Sequence, residues 1–270
     1  MTEALLAHWP EYAIEGALLG LFMVSACLFV VLLEHVGSPL RRRLSSPLMR
    51  RALIGLAMGV TAVLLIRSPW GRTSGAHMNP AVTLAFWTLG KVEGVDAFFY
   101  VMSQCLGGIG GVLLSRLVLG RGVAHPSVHF AATVPGDRGP LLAWLAEFGI
   151  SFLMLTVVLI ASNTRSLAAY TPFFAGALLV LYITFEAPLS GMSLNPARTL
   201  GSAVPARDFR GFWIYCTAPV LAMLISAAGF AAIAGKEHVL CAKLCHGSKE
   251  RCIFHCRFHE ARNPAETSLR

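Results

Sequence analysis

The stretch Ser74-Gly75-Ala76-His77-Met78-Asn79-Pro80-Ala81-Val82-Thr83 returns later in the chain as Ser190-Gly191-Met192-Ser193-Leu194-Asn195-Pro196-Ala197-Arg198-Thr199. Each copy reads as an extended loop, an Asn N-cap, a Pro at the first helical position and then a short helix. One such box is an ordinary helix start. Two in matching places are hard to obtain by chance and point to an internal duplication. The apolar stretches they open, Asn79 to Leu89 and Asn195 to Val204, are too short to cross a bilayer.

The segments around the boxes are long enough. Six spans are expected, roughly Tyr12 to Glu34, Arg50 to Ile66, Asp96 to Leu119, Leu141 to Ser162, Ala168 to Phe185 and Phe212 to Ala234. About 20 apolar residues at about 1.5 Å rise cover a hydrocarbon core of about 30 Å. Composition agrees: 56% of the 270 residues are hydrophobic and only 13% charged, which does not suit a soluble surface. The stretch Met1 to Glu11 lacks the basic region of a secretory signal, so the first span is expected to be retained. The formal charge of +8 lies in loops and tail without aromatic interleaving, which argues for anionic lipid headgroups and against nucleic acid. The positive-inside rule divides its vote between Arg41, Arg42, Arg43, Arg50 and Arg51 in the first loop and seven Lys and Arg from Lys236 onward.

Each half carries a span with an early Glu (Glu15, Glu147), a second span, an Asn-Pro-Ala box and a third span. Three spans per copy is an odd number, so the second copy must be inverted, and the two short helices enter from opposite faces to meet near the midplane. A linker from Gly120 to Pro140 joins the halves; its His125 and His129 read as plain loop histidines.

Non-helical backbone at membrane depth must be buried in protein or line an aqueous path. Asn79 and Asn195 are expected to cap their own helices through the side-chain oxygen, leaving their amide N–H groups free to face that path. A water between them would turn its hydrogens outward and interrupt a proton wire, and the positive ends of both half-helices disfavour cations. Arg198, one turn into the second half-helix, is expected to line the path and donate to a permeant molecule. Glu15 and Glu147 need partners at that depth, and the amides of the two re-entrant loops are the candidates. Thr61 and Thr184 are expected to bond back to their own helices.

From about Glu11 to Gly235 these residues resemble the aquaporin, or major intrinsic protein, family. The likeness rests on both boxes (Asn79, Pro80, Ala81; Asn195, Pro196, Ala197), both glutamates, the run Tyr100-Val101-Met102-Ser103-Gln104-Cys105-Leu106-Gly107, and Trp213-Ile214-Tyr215 before Pro219. It implies an all-α integral membrane fold of six transmembrane helices and two re-entrant half-helices in an inverted repeat. It also implies one pore per subunit, a homotetramer, both termini cytoplasmic, a multi-pass cell (inner or plasma) membrane location, no required cofactor and no enzymatic activity. The channel domain would span 1–235, with repeats over about 11–120 and 140–235.

The resemblance also implies an outer constriction of Arg198, Met192, Ile183 and a fourth residue, Met58 or Gly59, with Met58 preferred. Strict water channels of the family place an aromatic residue and a histidine there, so Met, Ile and Met point to small neutral solutes as well as water; flexible methionines could also close the ring. Thr199, where glycerol facilitators have Asp, argues against a dedicated glycerol channel. His77 belongs to the first box, where its expected task is loop packing.

The segment 236–270 departs from the family pattern. It holds Cys241, Cys245, His246, Cys252, His255, Cys256 and His259. On a helix, Cys241 with Cys245 and Cys252 with Cys256 would be i, i+4 pairs, so Cys241, Cys245, Cys252, Cys256, His255 and His259 are candidate ligands for zinc or another soft metal. Two other readings stay open, a secondary transporter, since inverted repeats build those too, and a membrane metal or redox sensor acting through the tail.

Overall fold

Proline stands at the first or second position of five of the eight main helices, where its fixed φ is an asset and its missing N–H no loss. The computed structural model describes residues 1–246 and 251–258. Its main helices are α1 Thr2–Glu34, α2 Pro47–Arg67, α3 Pro80–Thr88, α4 Gly94–Val118, α5 Pro140–Asn163, α6 Thr171–Phe185, α7 Pro196–Ala206 and α8 Phe212–Ala234. Six of these, all but α3 and α7, are long and apolar enough to cross a membrane, the fifth counted with the 3₁₀ turn Ala168–Tyr170 that leads into it. No strand occurs among the described residues.

The packing follows the duplication. α1 lies against α4 as α5 lies against α8, α2 meets α6 across the halves, and each half-helix packs on a span of the other copy, α7 on α4 and α3 on α8. Because six spans return the chain to its starting side, the start of α1 and the end of α8 lie on one face, called inner below; α1 runs outward from it and α2 back.

Small residues let these helices approach, as packing within a bilayer requires. A Cβ on Gly107 would stand 1.9 Å from the Gly16 carbonyl oxygen, and one on Gly111 would stand 2.3 Å from that of Gly20, so α1 and α4 touch backbone to backbone. Gly201 of α7 meets Gly108 of α4 in the same way, at 2.7 Å.

Two features, one helix boundary and the linker, differ from the sequence reading. α1 begins at Thr2 instead of Tyr12 and at about 50 Å outruns the hydrocarbon core. Its extra turns are held by the Asp96 carboxylate, which bonds His8 Nδ1 at 2.8 Å and accepts from Tyr12 OH at 2.5 Å. The linker 120–140 is more than a joiner. It folds through 3₁₀ turns at Gly120–Ala124 and His129–Ala131 and docks on the outer side of the second half, with Gly136 N donating to Leu189 O at 2.9 Å.

Candidate functional site

Both loops that precede the half-helices alternate into left-handed backbone, at Gly75, Ala76 and Met78 in the first and Gly191, Met192 and Leu194 in the second. Non-glycine residues in that region cost on the order of 1–2 kcal/mol each, so something must hold them. Two buried carboxylates do. Glu15 accepts from His77 N at 3.0 Å, Met78 N at 2.7 Å, Ser74 Oγ at 2.8 Å and Gln104 Nε2 at 2.9 Å. Glu147 accepts from Ser193 N at 2.6 Å, Leu194 N at 2.8 Å and Ser190 Oγ at 2.8 Å. Two tyrosines complete the pattern: Tyr100 OH donates to Ser74 O at 2.7 Å and Tyr215 OH to Ser190 O. The early glutamates stand out in sequence as unpaired charges; the tyrosines show only through their recurrence in both halves, and Gln104 has no counterpart in the second half, where Pro219 stands.

At the box itself the side-chain oxygen of Asn79 accepts from Ala81 N at 2.9 Å, and that of Asn195 from Arg198 N at 3.1 Å. The amides differ from the expectation that both N–H groups of each stay free. Asn79 Nδ2 donates to Leu194 O at 2.8 Å and Asn195 Nδ2 to Met78 O at 2.6 Å, so each box fastens the loop of the other. An amide nitrogen has two N–H groups, which leaves one per Asn for the space beside it. The physical reason is that left-handed residues turn the Met78 and Leu194 carbonyls away from their own backbone, and a buried carbonyl needs a donor.

That space is a cavity of about 110 Å³, enough for a short file of waters. Its wall is mainly apolar, with polar groups from His77, Asn79, Ser193, Asn195 and Arg198. Arg198 borders the cavity, and its Nη1 is buried with no hydrogen-bond partner among the described residues. Among the described residues, no carboxylate contributes to the wall.

Of the other constriction candidates, Met58, Ile183 and Met192 do not line this cavity. Ala62 and Ile66 of α2 do, as do Ala175 and Leu179 of α6. Met58 and Ile183 continue those two rows one helical turn farther out, at i−4 and i+4. Gly59 faces elsewhere, since a Cβ there would stand 2.7 Å from the Gly176 carbonyl oxygen of α6. Thr61 and Thr184 bond back to Ala57 O at 2.8 Å and Val180 O at 2.6 Å.

At the outer rim, Arg210 first and then His129, 2.9 Å away, hold the Asp208 carboxyl well below the usual carboxylate range. His129 is thus a tie between linker and loop, not a bystander.

Around its cysteines the described part of the tail is not helical, which corrects the i, i+4 expectation. Residues 239–246 and 251–257 run in turns and irregular backbone, and the metal-ligating atoms of Cys241, His246, Cys252 and Cys256 fall within 4.8 Å of one another. Cys245 stays outside that group, since an irregular chain does not stack i with i+4. His255 is taken by Glu93 Oε1 at 2.7 Å, and His259 lies outside the described residues.

Comparison with known proteins accords with this arrangement. The family described as Major intrinsic protein matches residues 13–230. Aquaporin NIP6-1 of Arabidopsis thaliana is 36% identical over 177 residues, 65% of this chain and 56% of that protein. Aquaporin NIP3-1 of Oryza sativa subsp. japonica is 37% identical over 191 residues, 70% of this chain and 58% of its own length. Nodulin-26 of Glycine max is 32% identical over 175 residues, 64% of this chain and 62% of that protein. The chain thus spans less than two thirds of the length of these relatives. In fold it is similar to the aquaglyceroporin from Plasmodium falciparum, with a TM-score of 0.72 at 16% identity, over 86% of this chain and 98% of the other. The inverted pair of capped half-helices and the match over residues 13–230 together place the chain in the major intrinsic protein family, a family of membrane channels.

Proposed function

We propose that the chain conducts water and small uncharged solutes through the cavity between the two boxes and excludes protons and ions. One observation carries the reading: Asn79 and Asn195, each locked by the other loop, border one cavity with an unpartnered Arg198 N–H beside them. A water there accepts from the two free amide N–H groups and loses the orientation a proton wire needs. The helix dipoles of α3 and α7 and the Arg198 charge all oppose a cation. The apolar wall offers a neutral molecule few groups to bind, so passage is fast and unspecific within the limit of size.

Selectivity is assigned to Arg198 with Met192, Ile183 and Met58 on the outer side, and loop orientation to Glu15, Glu147 and His77. The tail face is taken as cytoplasmic, the location as a cell membrane, and the assembly as a homotetramer. A secondary transporter would need an ion-coupling group at the path, and among the described residues the cavity wall holds no carboxylate.

Proteoliposomes of chelator-treated protein, challenged in turn with impermeant, urea and glycerol gradients, test the reading. Water flux above empty vesicles with measurable entry of the smaller solute is expected. Solute uptake that depends on a proton or sodium gradient would replace the channel by a transporter.

A further inference from the structure

The tail does more than leave the membrane. After α8 it turns back under the inner face and is tied at several points. Leu240 N donates to Asn163 Oδ1 at the end of α5 (2.7 Å), His255 N to Lys91 O behind α3 (3.1 Å), and Arg251 lies 3.8 Å from the Glu11 carboxylate of α1. Between these ties it enters the site. Leu244 N donates to Gly75 O at 3.1 Å, and the Leu244 side chain forms part of the cavity wall with His77 and Asn79. His77 Nε2 donates to Ala242 O at 2.8 Å, and its ring is stacked between Phe86 of α3 and Phe254 of the tail at 5.3 and 5.5 Å.

The residues that reach the cavity are interleaved with Cys241, His246, Cys252 and Cys256. Three sulfurs and one imidazole are an ordinary structural zinc set. Zn–S bonds of about 2.3 Å in a tetrahedron put neighbouring sulfurs about 3.8 Å apart. Cys241 Sγ and Cys252 Sγ are 3.6 Å apart, close to that edge and far from the roughly 2.05 Å of a disulfide. His246 Nε2 is 3.1 Å from Cys256 Sγ. Three thiolates around a divalent ion leave one negative charge, and the buried Lys91 lies within electrostatic reach of both Cys241 and Cys256.

We propose that Cys241, His246, Cys252 and Cys256 bind a zinc-class divalent cation, and that this metal fixes the tail as a stopper whose Leu244 closes the inner end of the pore. The stopper rests on the channel reading above; the metal site does not. On binding, the three thiols release their protons to solvent, and the ion supplies the folding free energy that irregular backbone lacks. Loss of the metal frees residues 241–246 and 251–256, withdraws Leu244 and strips His77 of its tail partners.

The test uses full-length protein in liposomes, with zinc counted by elemental analysis and water flux read by stopped-flow scattering. One zinc per chain is expected, with flux rising several-fold on chelation and falling again when zinc is restored. Cys252→Ser/Cys256→Ser should lose the zinc and conduct constantly, whereas Leu244→Gly should keep the zinc and still conduct. No stoichiometric zinc would overturn the site. Zinc bound with flux indifferent to chelation would overturn the stopper. No flux in any form, the Leu244→Gly variant included, would overturn the channel reading and the stopper with it, while the zinc count still judges the site.

Discussion

Glu15 and Glu147 show how a charge becomes affordable inside a membrane. Each carboxylate gathers two loop N–H donors and a serine hydroxyl, and those donors sit on backbone that would otherwise relax out of its left-handed turns. A glutamine in either place keeps one acceptor oxygen and turns an NH₂ group toward N–H donors. Glu147→Gln should therefore cost roughly 3 kcal/mol or more, the range for breaking a buried charge-assisted network, and should lower the unfolding temperature in detergent. Equal melting of variant and wild type would mean that the loop holds its shape unaided.

The same residues mark how far sequence reasoning reaches. A lone Glu early in an apolar span advertises its need for partners, and so the carboxylate–loop contact is legible. The second use of each Asn is not, because nothing in an Asn-Pro-Ala box says which carbonyl across the molecule lacks a donor. Leu244 and Phe254 are legible only as apolar residues in a polar tail; their place beside His77 depends on a chain path that no local pattern encodes.

At the scale of elements, the spans are easy to read because about 20 apolar residues between turns have few alternatives in water or lipid. The ends are harder. Thr2 to Glu11 joins α1 since Asp96 of α4 braces it through His8 and Tyr12, a long-range cause invisible locally. Helix contact adds a sharper distinction. Gly107 and Gly110 lie on the same helix one turn apart, yet a Cβ on Gly107 would strike the Gly16 carbonyl at 1.9 Å while one on Gly110 meets nothing within 4 Å. Gly107→Ala is expected to push α1 off α4 and abolish the folded peak in size-exclusion chromatography. Gly110→Ala should elute as wild type, and a matching loss in both would show that helix propensity or insertion, not contact, sets the requirement.

For the whole molecule, duplication explains why so few residues make the site. An inverted copy supplies a second half-helix, a second carboxylate and a second tyrosine, and the two boxes need only meet to enclose a path. The tail has no counterpart in the first repeat and lies beyond the family match at residues 13–230; it is where this chain adds to the common plan.

A file of neutral molecules, and not protons, is proposed to pass between Asn79 and Asn195. Stopped-flow scattering on proteoliposomes of chelator-treated protein, carrying an internal pH dye, tests it most directly. Wild type is compared with Ala175→Trp and Val158→Trp, which fill the cavity from α6 and α5. Fast water flux without proton entry in wild type, lost in whichever variant still elutes as folded protein, is the predicted result. Proton entry together with water, or undiminished flux in a folded cavity-filled variant, would contradict it.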